Sequence, residues 1–351
     1  MINTKKIKIG DFIFEKNSKP FIVGEVGVNH NGELKKAFQM IEEAKKIGLN
    51  AIKFQTFKAK EFCGDPSQTY TYKSQGKEIT ESMIEMFSRY EFSNDEWEKI
   101  KEKCNSEGIT FLSTPQNYSD LELLLKLGID AIKVGSDDLT NLPLLKKYSS
   151  TNLPIILSSG MSTLDEISDA LNTVGFFDGY PTILLVTTSQ YPTPNKDVNL
   201  LKFHTLTEQF PDLPLGFSDH TIGNTAASIA CGMGSIFFEK HFTLDCNSNG
   251  PDHWFSANPE QLKKWKNSII TSFEMLGSPE VKPTENEIAN KNEFRRYIVA
   301  KKSIMLGDLF SNENLELKRI SGGNGLTGQM FEKLLNMESN KNYKKGEKIQ
   351  F

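Results

Sequence analysis

Cysteine is scarce in this 351-residue chain and no motif is built on it: Cys63, Cys104, Cys231 and Cys246 stand far apart without a CxxC pair. That spacing argues against a zinc knuckle or a disulfide framework, and it predicts reduced thiols in a cytoplasmic protein. Long apolar runs are missing as well. None approaches the ~20 residues that span a bilayer, and the opening MINTKKIKIGDFIF has lysines but no apolar region leading to a small-residue cleavage site. No membrane association and no secretory signal are expected. Nor is there a surplus of one charge: 41 Lys and Arg against 45 Asp and Glu, interspersed, leave −4. No basic face points to nucleic acid, and no polybasic stretch points to an anionic membrane. With 38% hydrophobic and 25% charged residues, the chain reads as a soluble globular protein with one large core and room for a small second domain. Small-molecule chemistry is the function class that remains.

What is present is a repeated β-then-α unit. FIVGEVGVN leads into LKKAFQMIEEAKKIG, where Leu34, Ala37, Phe38, Ile41, Ala44 and Ile47 recur at helix spacing up to Gly48. AIKFQTF follows, then a polar, aromatic excursion over about 58–92, then the helix NDEWEKIKEKCNSEG with Asn94 as its expected N-cap. Six more strands read as ITFLSTP, AIKVGSDD, PIILSSG, TILLVTTS, PLGFSDH and SIFFEKHFT, each followed by a helix candidate. Eight units predict a (β/α)8 TIM barrel over residues 1–278 rather than an open doubly wound sheet. A polar, proline-bearing linker is expected over 279–293, and short strand-like runs with Gly and Asn turns over 294–351. A core that small gains stability by docking.

Active sites of such barrels lie at the C-terminal ends of the strands. Those ends are polar here: Glu25 and Asn29, Lys53 and Gln55, Ser113 and Thr114, Lys133 with Ser136 and Asp138, Ser158, Ser189 with Tyr191, Ser218 with Asp219 and His220, and Glu239 with His241. Any one of them alone reads as a cap or surface group; their convergence does not. His220 and His241, at neighbouring strand ends, suit a divalent metal, with Asp219 and Glu239 as carboxylates to orient the rings. His30 and His253 have no clear role, and His204 reads as structural or exposed. Lys53 and Lys133 enter the same mouth, and with Ser136, Ser158 and Ser218 they suit an anion carrying phosphate and carboxylate. A Schiff-base aldolase using either lysine as nucleophile is the rival. A non-catalytic module leaves the polar mouth without a purpose. The excursion after the second strand can overhang the mouth, so Gln68, Tyr70, Tyr72, Lys73 and Gln75 are candidates for contact with the substrate's substituents.

GEVGVNHNG, IKFQT, STP, IKVGSDD, ILSSGM, YPTP, GFSDHT, EKHFT and GPDHWFSANP, in this order over nearly the whole chain, resemble the signature stretches of the sialic acid synthase family, the bacterial nonulosonate synthases. The tail resembles that family's antifreeze-like (SAF, β-clip) domain. The resemblance implies condensation of phosphoenolpyruvate with an N-acylated mannosamine-type aldehyde and release of phosphate, in a homodimer that swaps its tail. It implies a divalent metal, Mn2+ with Mg2+ or Co2+ as alternatives, on His220 and His241 beside Glu25. Lys53, Thr114, Lys133, Ser136, Ser158 and Ser218 would hold phosphoenolpyruvate; Gln55, Tyr191 and Asp252 would face the sugar; Arg319 would reach the partner's site. Asp138 is the candidate donor to the new alkoxide. Ser189, Asp138 and Ile320 depart from the residues usual in sialic-type enzymes, which have Asn, Glu and Pro there. The acceptor stays open between N-acetylmannosamine and a 2,4-diacetamido-6-deoxy sugar of legionaminic or pseudaminic type.

Overall fold

The computed structural model describes residues 6–15 and 18–350. Eight parallel strands close into a barrel: β1 (Phe21–Gly27), β2 (Ala51–Thr56), β3 (Thr110–Pro115), β4 (Ile132–Val134), β5 (Ile155–Ser158), β6 (Thr182–Val186), β7 (Leu215–Asp219) and β8 (Phe237–His241). Helices alternate with them: α1 (Leu34–Ile47), α2 (Asn94–Glu107), α3 (Tyr118–Leu127), α4 (Leu142–Ser149), α5 (Leu164–Val174), α6 (Lys202–Gln209), α7 (Thr225–Gly232) and α8 (Pro259–Leu276). The expected TIM barrel is thus present, with all eight strands at the sequence stretches that predict them. The cap of α2 differs from expectation. Ser93, not Asn94, accepts from the Glu96 N–H while the Glu96 carboxylate accepts from Ser93, a reciprocal capping box. No helix among the described residues is long and apolar enough to cross a membrane.

Strand periodicity builds the site. Side chains two apart share a face, so each strand sends an alternating series into the barrel. The lower positions of that series are apolar: Val23, Ala51, Leu112, Ala131, Ile156, Ile183, Leu185 and Phe237 form one buried cluster. The antiparallel pair Ile7–Ile9 and Phe12–Phe14 closes this end, adding Ile7, Ile9 and Phe14 to the cluster. Two residues further along, the same faces carry Glu25, Lys53, Thr114, Lys133, Ser158, Thr187 and Glu239, every one buried. The barrel is therefore apolar at one end and polar at the other. Outward-facing strand residues such as Ile22, Ile52, Phe54, Phe111 and Phe238 pack against the helices in a separate, larger cluster.

The chain divides into two compact units, one ending at Gly277 and one beginning at Ser278. The segment read as a linker contains a helix, α9 (Glu285–Phe294), started by a Thr284–Glu287 capping box and without buried residues. The second unit pairs β9 (Arg296–Ala300) antiparallel to β10 (Leu315–Arg319). Its core is Ile298, Ala300, Ile304, Phe310, Leu315, Leu334, Tyr343 and Ile349. Arg319 lies exposed at the end of β10, opposite Arg296.

Candidate active site

A cavity of about 740 Å³ opens at the C-terminal ends of the strands. Glu25, Lys53, Gln55, Thr114, Lys133, Ser136, Ser158, Ser189, Tyr191, Ser218, His220, His241 and Asp252 all line it. Asp138 does not. Strand β4 ends in a short 3-10 turn over Ser136–Asp138, where successive residues point in different directions. Asp137 lines the cavity, while the Asp138 carboxylate accepts from Asn141 Nδ2 at 2.9 Å. The candidate alkoxide donor Asp138 thus holds Asn141, and Asp137 is the carboxylate of this turn that lines the cavity.

The two lysines are not bare charges. Lys53 Nζ lies 2.6 Å from Glu25 Oε2 and 3.6 Å from Glu239 Oε1, and Lys133 Nζ lies 3.9 Å from Glu239 Oε1. Burial disfavours the Lys53 ammonium, but Glu239 and Glu25 outweigh it and hold the group above its ordinary value. Lys133 has less compensation, and burial takes it down to about 8. Its ammonium donates to Ser158 Oγ at 2.7 Å and to the Val134 carbonyl at 3.0 Å. Burial pushes the Glu25 carboxyl up despite Lys53, whereas for Glu239 the two lysines overcome burial and hold it down. Gln55 Nε2 donates to Glu25 Oε1 at 3.0 Å, fixing that carboxyl. The register between β1 and β2 slips between Glu25 and Gly27, a bulge that turns the end of β1 toward the mouth. Gly27 sits at φ 55°, and a Cβ there would lie 3.2 Å from Asp252 Oδ2.

A cradle of small donors faces the lysines. Gly160 N–H donates to Ser136 Oγ at 3.1 Å. A Cβ on Gly160 would lie 2.3 Å from Ser189 Oγ and 2.6 Å from Ser136 Oγ, so glycine alone lets these groups converge. A Gly160→Ala variant should keep the barrel yet bind a phosphate-bearing substrate about a hundredfold more weakly, because displacing positioned groups by an ångström costs that much. Steady-state KM values with matched circular dichroism spectra check it.

His220 and His241 lie with ring centroids 5.5 Å apart. His220 Nδ1 is 2.8 Å from the Thr188 carbonyl, which can only accept, so this nitrogen carries the proton and Nε2 keeps its lone pair. Burial lowers His220 to about 4 and takes His241 well below its ordinary value, so both rings are neutral near pH 7. His241 Nδ1 is buried without a hydrogen-bond partner. Two neutral imidazoles, one oriented by a carbonyl, make a donor set that fits a divalent ion. Among the described residues no three His, Cys, Asp or Glu side chains form a complete ligand group. Further ligands would have to be water or substrate.

The carboxylate expected to orient His220 is elsewhere. Strand alternation puts Asp219 on the outer face, where Oδ1 accepts from the Thr221 backbone and hydroxyl, and Oδ2 accepts from Trp265 Nε1 at 2.8 Å. Lys240 Nζ is 3.1 Å from the same Oδ2. Asp219 thus ties the barrel to α8, and Glu239 pairs with lysines rather than with a histidine. Of the remaining histidines, His204 is exposed on α6 and the other two are structural. His30 stacks against Phe92 and accepts from Gly32 N–H, while His253 joins Thr243 to Asn31.

The rim is aromatic. Tyr191 lies 4.2 Å from the His220 ring and 5.3 Å from Phe255. Burial, then Glu25, raises Asp252 to about 7, and its Oδ2 lies 4.0 Å from His241 Nδ1. The excursion folds as an antiparallel hairpin, Thr69–Ser74 with Lys77–Ser82, and brings Tyr70, Tyr72 and Lys73 to the cavity. Gln68 and Gln75 do not line it; Gln75 Nε2 donates to the Asn247 carbonyl. Trp254 and Phe255 of GPDHWFSANP also line it, two rings that no polar strand-end pattern marks.

Comparison with known proteins agrees with this geometry. Residues 40–281 match the NeuB family. The chain is 38% identical over 307 residues to the N,N'-diacetyllegionaminic acid synthase of Legionella pneumophila, covering 86% of each chain. It is also 38% identical to the enzyme of the same name from Campylobacter jejuni, covering 94% of this chain and 99% of that one. The crystal structure of N-acetylneuraminic acid (sialic acid) synthetase from Leptospira borgpetersenii, in complex with citrate, superposes with a TM-score of 0.73 at 30% identity. It covers 83% of this chain and 98% of the other.

Proposed function

The chain belongs to the NeuB family, and from that premise we propose that it is a nonulosonic acid synthase joining phosphoenolpyruvate to an N-acylated amino sugar in its open aldehyde form. The observation that carries this reading is the convergence in one mouth of two buried lysines, a ring of hydroxyls and two neutral imidazoles. Lys133, Ser158, Ser136, Ser189 and the Gly160 turn offer donors for a phosphate; Lys53 and Thr114 offer donors for a carboxylate. The enol C3 attacks the aldehyde carbon and leaves positive charge at C2. Water adds at C2, and the C2–O bond to phosphate breaks with its electron pair, giving a keto acid and inorganic phosphate. Glu25, held by Gln55 and Lys53, is placed to take the water's proton. Asp138, whose carboxyl burial pushes above its ordinary value, is the donor we assign to the new alkoxide, with Asp137 of the same turn lining the cavity. His220 and His241 would hold a divalent ion, whose chemistry when bound is to polarise the aldehyde oxygen.

The acceptor favoured by the two legionaminic relatives is a 2,4-diacetamido-6-deoxy sugar. Phosphate release from phosphoenolpyruvate, assayed with that sugar, with N-acetylmannosamine and with sugar phosphates, tests the reading. Turnover with a diacetamido or N-acetylated sugar supports it; reaction of a pentose phosphate alone ends it.

One observation favours the Schiff-base rival: Lys133 at about 8 has the lowered basicity such chemistry uses. That value still leaves Lys133 mainly protonated at pH 7, as an anion site requires. The two readings separate by pH. KM for phosphoenolpyruvate should rise as pH increases through about 8, where Lys133 loses its charge. Borohydride with substrate should leave activity intact, whereas covalent trapping on Lys133 would establish the rival.

We also propose that the second unit is the antifreeze-like domain and that Arg319 completes the site of a partner subunit in a swapped homodimer. Arg319→Ala and His220→Ala proteins should each be nearly inactive. Refolded together they should regain activity in at most about a quarter of all sites, as random pairing of two subunits dictates. Verified mixed dimers that stay inactive would place Arg319 in its own chain's function.

A further inference from the structure

Every lysine deep in the mouth has a carboxylate partner, yet a third lysine of the cavity has none. Lys73 Nζ lies 5.1 Å above the centroid of the Trp254 ring and forms no ion pair among the described residues. The hairpin tip holds it there. Gln75 and Gly76 turn the chain at φ 49° and 78°, and Ser74 alone in the hairpin is buried. Ser74 Oγ accepts from Gly250 N–H at 3.1 Å and donates to Asn249 Oδ1 at 2.9 Å; Gln75 Nε2 donates to the Asn247 carbonyl at 3.0 Å. The loop after β2 is thereby stitched to the loop after β8, across the end of β1. Asn31, beyond β1, joins the same seam by donating to the Asn249 carbonyl at 3.0 Å.

This pinned corner has defined chemistry. The ammonium caps one part of the indole, so an incoming group meets Lys73 as a donor to its oxygen and the rest of the indole as flat apolar surface. Phe255, which lines the same cavity with its ring centroid 5.7 Å from that of Trp254, offers apolar surface for a methyl. A phosphate would need several donors and leave the rings unused. A planar amide with a methyl end satisfies all three. We propose that Lys73 and Trp254 form an outer subsite for a second acylamino group of the acceptor sugar, remote from its aldehyde, with Ser74 as the positioning residue. This rests on the synthase reading and adds the residues that select between mono- and diacylated sugars.

The test compares the full-length, metal-loaded protein with its Lys73→Met, Trp254→Leu and Ser74→Ala variants, using phosphoenolpyruvate with N-acetylmannosamine or its 2,4-diacetamido-6-deoxy counterpart. Wild-type protein should prefer the diacetamido sugar in kcat/KM. Lys73→Met and Trp254→Leu should each shrink that preference about tenfold, chiefly through the sugar's KM, the size of a lost charge-assisted contact. Ser74→Ala should shrink it in the same direction, and Lys73→Arg should retain most of it. An unchanged preference in Lys73→Met and Trp254→Leu proteins with native circular dichroism, or a wild type without preference, overturns the subsite. In either case turnover of one of the sugars leaves the synthase reading standing. Turnover of neither removes that reading, and the subsite with it.

Discussion

His220→Ala should lower turnover at least about a thousandfold while leaving the barrel folded. The residue lies just past β7 at the polar end of the barrel, away from the apolar cluster that fills the other end. Its Nδ1–H is committed to Thr188, which leaves the lone pair on Nε2, 3.4 Å from Ser218 Oγ, to serve the mouth. Losing one of two imidazoles should remove the ion, and Lewis-acid polarisation is worth several kcal/mol in a transition state. Chelation of the wild-type protein should give the same loss, with recovery on adding Mn2+. Elemental analysis of both proteins provides a readout independent of activity. Full turnover in protein shown to be metal-free would overturn the assignment of His220 and His241.

Lys53→Met should be the most damaging single change for stability in the site. Lys53 stands between Glu25 and Glu239, all three buried, and its removal strands two carboxyls away from water. Breaking a buried pair by deleting one partner costs about 3–5 kcal/mol. The pH dependence follows in sign. Without the ammonium, a buried carboxyl has its folded-state pKa raised above the unfolded one, so the stability it contributes is full at low pH and is lost as pH rises through the folded value. The gap in melting temperature between Lys53→Met and wild type should therefore be wide at pH 8 and narrow on acidification. A gap that is the same at both pH values would mean that Lys53 acts by packing rather than by charge. Phosphoenolpyruvate affinity should fall as well, since Lys53 and Thr114 face the same part of the cavity.

The barrel was legible because each strand is a short β-branched or aromatic run and each helix keeps its own period. Much of the mouth was legible for a related reason: a Lys, Ser or Glu on the inward period of an apolar strand near its end meets the cavity, as Lys53, Lys133, Ser158, Ser218 and Glu239 do, while Lys240, one residue out of that period, turns to Asp219. Partners were less visible. Glu239 reads as support for a histidine until the structure sets it between two lysines, and Asp219 lies one residue from the inward face, which is enough to send it to Trp265. Which of Asp137 and Asp138 enters the cavity depends on a 3-10 turn that has no strand periodicity. The orienting group of His220 is a backbone carbonyl, which no side-chain pattern announces. Other features are written in the sequence itself. TYTYKS and KEITES flank Gln75-Gly76 as a hairpin would, and the TENE of Thr284–Glu287 is a capping-box signal inside the presumed linker.

Phosphoenolpyruvate carrying heavy oxygen at the bridge between C2 and phosphorus tests the central claim most directly. Incubated with the protein and the acceptor sugar, it should yield sugar-dependent inorganic phosphate that contains the label, together with an unlabelled nonulosonic acid, both read by mass spectrometry. Label retained in the sugar acid, or phosphate released at the same rate without sugar, would contradict carbon–oxygen cleavage in a condensing synthase.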